Sequence, residues 1–166
     1  MALIYFFNKK RRDVQEVSVF DVANYFLAKV ELTSGSVMTH LRLQKLCYYA
    51  QAWHLAFDHV PMFSERFEAW AHGPVSPDLW DKYKGFGMSP ISSSDDFTLD
   101  VFTNSQIETL EEVWNAYGQF DAKYLEELTH QENPWILARG DCRDGDKCNN
   151  LISNDSMRDY YQSLLS

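Results

Sequence analysis

The segment from Thr39 to Asp58 constrains the fold more than any other part of this chain of 166 residues. Its apolar side chains recur at helical spacing on one face, and a second face is apolar as well. A helix of this kind has to be covered by protein on more than one side, which places it at the centre of a domain. The first face carries Leu43, Leu46, Cys47, Ala50, Trp53 and Phe57, and the second carries Tyr48, Tyr49, Ala52 and Leu55.

The rest of the chain predicts shorter helices and a little β-structure around this central helix, at about 40–58. Helices are expected where a capping side chain precedes an apolar stripe. The predicted caps are Ser18, Thr39, Ser76, Asp121 and Ser105, which forms a capping box with Glu108. A last amphipathic helix is expected over 157–165. Residues 67–72 alternate with period two, which predicts a short β-strand or hairpin near 61–73 that Gly73-Pro74 stops. The predicted fold class is therefore mainly α (α+β), a compact single-domain helical bundle.

Two segments stand apart from this predicted bundle. Residues 1–17 predict an N-terminal arm or strand, because their apolar start of seven residues is far shorter than the roughly 20 residues that span a bilayer. Residues 18–166 form the predicted helical domain. Within it, the Ser- and Asp-rich run at 92–96 predicts a mobile surface loop.

The charge and the cysteines limit the compartment and the partners. With 15 Lys and Arg against 24 Asp and Glu, the net charge of −9 argues against direct nucleic-acid binding, which depends on cations that neutralise phosphates. The same charge suits a positively charged protein partner. Three cysteines and the lack of a signal-peptide pattern speak against a secreted disulfide framework and predict a cytoplasmic protein without membrane association.

No complete catalytic or cofactor motif is present in the sequence. The spacing of the five histidines and of Cys142 and Cys148 fits no zinc motif, and there is neither a nucleophile elbow nor a glycine-rich phosphate loop. The sequence therefore predicts no catalytic residue, metal site or cofactor. A metal-dependent hydrolase that uses His130, Glu132 and His72 stays open as an alternative, beside the interpretation that His130 serves a helix C-terminus.

Two further patterns concern polar and aromatic residues. Gln44, Tyr48 and Gln51 share one side of the central helix. They either satisfy buried backbone groups, which is favoured because buried amides need partners, or offer a polar contact. Glu68, Trp70 and His72 share one face of the predicted strand, and this face is either a packed strand edge or an interface hot spot of the kind in which Trp is enriched. The candidate partner-contact residues are Glu68, Trp70, His72, Asp95 and Asp96.

Four segments together carry a family resemblance. They are Leu43–His54, Phe67–Pro77, Tyr83–Gly87 and Leu128–Arg139. In combination they resemble the Panacea domain, also called the SocA-like or GepA-like phage-associated family, from about Val19 to the last helix. The residues that carry the motifs are Leu43, Gln44, Lys45, Leu46, Tyr49, Gln51, Trp53, Trp70, Gly73, Pro74, Tyr83, His130, Pro134 and Trp135.

This resemblance implies an antitoxin and no enzymatic activity. Such a domain neutralises a cognate protein toxin, usually encoded by an adjacent gene, by stoichiometric binding. A related alternative is a proteolytic adaptor of phage origin that delivers the toxin to a Clp protease. The motif residues are expected mainly to build the fold, which leaves partner specificity to the loops at 58–66 and 88–103.

Overall fold

The computed structural model describes residues 16–33, 35–93 and 97–165. Over these residues the chain is mainly helical with a small sheet, as predicted. The helices are α1 (Val19–Glu31), α2 (His40–Asp58), α3 (Pro77–Tyr83), α4 (Asn104–Tyr117), α5 (Ala122–Thr129), α6 (Asn133–Arg139) and α7 (Asn154–Ser163), with a 3-10 turn at Lys84–Phe86. None of these helices is long and apolar enough to cross a membrane. The predicted arm lies outside the described residues as far as residue 15.

Helix α2 occupies the centre of the fold. It packs against α7, α4, α1, α5 and β2, so protein covers it on several sides. Leu43, Leu46 and Tyr48 are completely buried, and so is most of the remaining helix. The prediction of a central helix over about 40–58 is confirmed, because a helix that is apolar on two faces is stable only where both faces are removed from water.

Three short strands form an antiparallel sheet in the order β2-β1-β3, with β1 at Phe67–Trp70, β2 at Gly73–Val75 and β3 at Leu151–Ile152. The predicted hairpin exists, but the expectation that Gly73-Pro74 stops it is wrong. Pro74 lies opposite Ala69 within β2, and an edge strand tolerates proline because its outer side needs no backbone donor. Strand β3 was not predicted, since two residues carry no periodicity.

Most predicted helix starts are confirmed by their caps, but two are displaced. Ser18, Thr39, Ser76 and Asp121 each accept a hydrogen bond from the first turn of their helix. Helix α4 is instead capped by Thr103, whose capping box pairs it with Gln106. Ser105, the predicted cap, lies inside the helix and donates its hydroxyl hydrogen bond to Asp58 of α2. Helix α7 begins at Asn154, three residues before the predicted start.

The cysteines also differ from expectation. Cys142 and Cys148 form a disulfide that closes the loop between α6 and β3. The sequence predicted no disulfide because neither the odd count nor the spacing indicated one, whereas a turn with Gly145 at φ 80° brings the two thiols together. Cys47 remains free in the core, where burial raises the pKa of its thiol.

Candidate functional site

A half-open groove with a volume of about 710 Å³ lies beside the sheet. Its floor is formed by β1, β2, the start of α2 and helix α3, and its two walls are the loops 84–88 and 145–149. Pockets that take ligands or partner side chains span roughly 300–1,000 Å³. We refer to this site as the groove, and its main lining residues are His40, Glu68, Trp70, His72, Trp80, Lys84, Met88 and Lys147.

The floor of the groove begins with β1. Glu68 and Trp70 point to the same face because side chains alternate along a strand. The Trp70 indole donates from Nε1 to Glu68 Oε1 at 3.0 Å, and Arg66 Nε donates to Glu68 Oε2 at 3.1 Å. From behind, Trp135 Nε1 donates to the Trp70 carbonyl at 2.9 Å. Both the side chain and the backbone of Trp70 are therefore fixed in position.

A second aromatic group reaches the floor from two helices. The ring of Trp80 on α3 stacks on His40 of α2 with centroids 5.1 Å apart, and its edge meets Trp70 at 5.3 Å. Burial and the nearby Lys45 charge lower the pKa of His40 to about 4. His40 is therefore neutral at pH 7, and its Nε2 lies 3.0 Å from Gln44 Nε2.

The turn between β1 and β2 is supported from beneath by a buried lysine. Lys45 Nζ donates to the Pro74 carbonyl at 3.1 Å, and burial lowers the pKa of this amine to about 7. A Cβ on Gly73 would lie 2.8 Å from Lys45 Cε, and Gly73 has a φ of 101°. Only glycine fits there, because the position is both left-handed and crowded. Above the turn, His72 Nδ1 lies 2.9 Å from Glu126 Oε1.

The two walls of the groove differ, because one carries an exposed apolar side chain at its rim and the other is cross-linked and anchored. Met88 is 75% exposed at the rim of one wall. The other wall is the loop closed by the disulfide, and Arg139 anchors it to the sheet. The Arg139 guanidinium donates to the carbonyls of Ala69 at 3.2 Å and Asp146 at 3.0 Å, and also to that of Arg143. A covalent link and a buried cation thus hold this wall against β1.

A closed aromatic cluster lies in the core behind the sheet. Glu132 accepts hydrogen bonds from the hydroxyls of Tyr49 at 2.6 Å and Tyr161 at 3.0 Å, and the hydroxyl oxygens of Tyr161 and Tyr48 lie 3.2 Å apart. Burial raises the pKa of Glu132, while the two hydroxyls act in the opposite direction. Tyr117 stacks on Tyr49 at 4.0 Å. We call these five residues the tyrosine cluster.

The residues of the hydrolase alternative do not all share one site, because His72 and His130 both lie near Glu126 whereas Glu132 lies apart from them. His130 caps the end of α5 and stacks on Trp135 at 4.1 Å, as the structural interpretation of this residue predicted. His72 pairs with Glu126, and Glu132 is enclosed by tyrosines. Within residues 16–33, 35–93 and 97–165, no group of three or more His, Cys, Asp or Glu side chains is placed to hold a metal ion.

The two glutamines of α2 satisfy buried backbone groups, as predicted. Gln44 donates to the Ser76 carbonyl at 3.1 Å and accepts from the Ser76 amide at 2.8 Å. Gln51 binds the Phe63 carbonyl at 2.7 Å and the Met62 amide at 2.7 Å. These bonds order the loop at 58–66, one of the two loops expected to carry partner specificity, and bury Met62 and Phe63.

The structure brings three of the five candidate partner-contact residues into the groove. Glu68, Trp70 and His72 line it, whereas Asp95 and Asp96 lie outside the described residues. The sequence did not predict Trp80 and His40 as site residues, because neither stands in a motif that indicates binding or catalysis. It also missed the wall at 145–149, for which the only signal was the pair of cysteines.

The remaining motif residues lie mostly inside the protein. Those that are buried are Leu43, Gln44, Lys45, Leu46, Tyr49, Gln51, Gly73, Pro74, Tyr83, Pro134 and Trp135. Trp53, Trp70 and His130 are half-buried. The motif therefore holds the central helix, the hairpin and α6 together, and Trp70 is its one aromatic residue in the groove lining.

Comparison with known proteins places these features in a family. The family model described as "Antitoxin SocA-like, Panacea domain" matches residues 43–136, which is more than half of the chain. The chain is also 28% identical over 142 residues to Antitoxin SocA from Caulobacter vibrioides (strain NA1000 / CB15N), covering 78% of this chain and 74% of that protein. No solved structure matches the chain.

Proposed function

The chain belongs to the SocA-like antitoxin family with a Panacea domain, and from this we propose that it neutralises a cognate protein toxin by binding it directly. The toxin is the product of an adjacent gene, and the complex forms in the cytoplasm without catalysis by this chain. The observation that carries the proposal is the family match, which begins within the central helix, includes the hairpin and ends within α6. The relative named as an antitoxin supports it over most of both chains.

The groove is the surface that we assign to the toxin. Trp70 and Trp80 are only half-buried, although they lie side by side on rigid elements. Partly exposed Trp residues in a concave site are typical of interface hot spots, because a partner buries much apolar area there at little entropic cost. The bonds to Glu68 and Trp135 hold Trp70 in place before binding.

Co-expression with each neighbouring gene product tests the proposal. We expect one neighbour to arrest growth when expressed alone, growth to recover when this protein is co-expressed, and the two proteins to co-purify in a fixed ratio. A groove variant that keeps its helical circular dichroism but fails to restore growth would locate the contact. If no neighbour is toxic, or if toxicity persists without any co-purification, the proposal is wrong.

The half-life of the toxin separates direct binding from delivery to a Clp protease. Direct neutralisation predicts that the toxin accumulates in the complex with an unchanged or longer half-life. An adaptor predicts faster toxin loss that depends on the protease. Toxin turnover in a pulse-chase experiment, with and without this protein, therefore decides between the two mechanisms.

A further inference from the structure

The polar atoms at the floor of the groove are already used within the protein. The Trp70 indole donates to Glu68, the other oxygen of that carboxylate accepts from Arg66, and His40 lies within hydrogen-bond distance of Gln44. A polar group that entered between the rings would lose its bonds to water without gaining partners, which is unfavourable. The floor therefore favours a large apolar side chain.

The charged side chains that line the groove, Lys84, Lys147 and Glu68, sum to +1, which is opposite in sign to the charge of the whole chain. Among the lining residues, Glu68 is the one carboxylate and it is engaged by Arg66, whereas each wall presents a lysine, Lys84 or Lys147. Lys84 also pairs with Asp81 at 3.5 Å, but both side chains are exposed. A surface ion pair of this kind is weak and exchanges readily with another carboxylate. In a chain with a net charge of −9, this local reversal favours an acidic occupant.

We propose that the groove receives a short segment of the toxin in which an aromatic or large aliphatic side chain lies next to a carboxylate. The apolar side chain inserts beside Trp70 and Trp80, and the carboxylate lies toward Lys84 or Lys147. This proposal rests on the proposed function, because it takes the occupant to be part of a protein. The segment is acidic and apolar, whereas the toxin as a whole is expected to carry the positive charge that complements the acidic antitoxin.

The two kinds of contact have different roles. The indole rings supply most of the affinity, because burying aromatic area beside a partner side chain dominates hot-spot energetics. The exposed lysines orient the segment and speed its association, and their contribution is screened by salt. Binding should therefore weaken moderately, without being abolished, as the ionic strength rises.

A random linear peptide library displayed on phage tests this proposal even before the toxin is identified. The immobilised wild-type protein is panned against the library, and an enriched peptide is synthesised with a fluorescent label and titrated by anisotropy. We expect the enriched sequences to share an aromatic or large aliphatic residue flanked by Asp or Glu. No enrichment over an uncoated surface, or a consensus rich in Lys and Arg, would overturn the proposal.

Two variants and their matched controls locate the binding site of the peptide. Met88→Glu places a carboxylate at the rim and should weaken peptide binding about tenfold. Its control is Leu32→Glu, which changes a similarly exposed apolar residue that does not line the groove. Circular dichroism and urea unfolding verify that each variant is folded.

The charge-reversal pair is Lys84→Glu with Lys147→Glu. It should weaken binding about five- to thirtyfold at low salt and remove most of the salt dependence. The control reverses Lys29 and Lys123, two lysines outside the groove, and should change the affinity less than about twofold. Equal affinities for the groove variants and their controls would overturn the proposal.

The outcomes separate this inference from the proposed function. If the wild-type protein restores growth while the groove variants leave peptide binding unchanged, only the acidic-segment proposal is overturned. Groove-dependent peptide binding together with a failure to neutralise any neighbour overturns only the proposed function. If both hold, the enriched consensus should also occur in the sequence of the toxin.

Discussion

The tyrosine cluster and the groove are built from similar residues and differ in what surrounds them. In the tyrosine cluster, Tyr49 and Tyr161 are enclosed and share one buried carboxylate acceptor. In the groove, Trp70 and Trp80 also meet edge to face, but loops instead of helices stand beside them. Aromatic residues thus close the core at one site and remain available to a partner at the other.

The secondary-structure elements around an aromatic pair therefore decide whether the pair belongs to the core or to a binding surface. The tyrosine cluster lies among helices, because α2, α4 and α7 supply its tyrosines and the N-cap of α6 is Glu132. The groove has only β1, β2, the start of α2 and α3 beneath it. The following changes test whether the first site is needed for stability and the second for binding, from the largest expected effect to the smallest.

Glu132→Ala should destabilise the protein most, by about 3–5 kcal/mol, because two buried hydroxyls lose their acceptor and a cavity is left. Urea unfolding followed by circular dichroism measures the loss. Glu132→Gln is the matched control, since it keeps the shape and an acceptor, and it should cost about 1 kcal/mol. Equal losses for the two variants would contradict the role assigned to this acceptor.

Gly73→Ala should cost about 2–4 kcal/mol, because the added Cβ meets Lys45 and Thr129 at a position that already has a positive φ. Gly145→Ala provides the control. It also has a positive φ but open space around it, and it should cost only about 1 kcal/mol. The difference between the two unfolding free energies measures how tightly the β1–β2 turn is packed on α2. No difference would refute this packing.

Replacing both disulfide cysteines, as Cys142→Ser with Cys148→Ser, should lower the free energy of unfolding by about 2 kcal/mol, the low end for a disulfide, because the closed loop is short. Arg139 still anchors the wall in this variant. Hydrogen exchange should accelerate in residues 141–149 and stay unchanged around Tyr49. Faster exchange in both regions would mean that the two sites are not independent.

The stability that each of the two sites contributes should also respond to pH, in opposite directions. His40 has a folded pKa of about 4 against an ordinary 6.5, so the folded protein binds fewer protons and its stability falls on acidification through this window. The raised pKa of Glu132 has the opposite effect on stability, because the folded protein holds this proton more tightly than the unfolded chain does. Its contribution is present below pH 4.5 and is lost as the pH rises through the folded pKa.

Proton NMR of the imidazole resonances and unfolding curves at several pH values check this prediction. His40 should titrate near pH 4, well below an exposed histidine. The stability difference between the wild-type protein and Glu132→Gln should shrink as the pH rises above 4.5. A His40 midpoint near the ordinary 6.5 would show that its ring is open to water.

Particular residues show how far the sequence predicts this protein. Local patterns located the central helix, four helix caps, the hairpin and the structural role of Gln44 and Gln51, because periodicity and side-chain chemistry act over a few residues. The start of α4 was misplaced because Thr103 and Ser105 both begin plausible capping boxes. Only the packing of Ser105 against Asp58 chooses between them.

By itself, the sequence determined that α2 is central, that the fold is mainly helical, and that Glu68 and Trp70 share one strand face. His72, which was expected on the same strand, lies instead in the turn after β1. Tertiary structure alone decided that Trp80, His40 and the disulfide loop meet that face to form a groove. The physical reason is sequence separation. Trp70 and Lys147 are 77 residues apart in the chain, and no local pattern encodes a contact between segments that only the packing of α2, α3 and the sheet brings together.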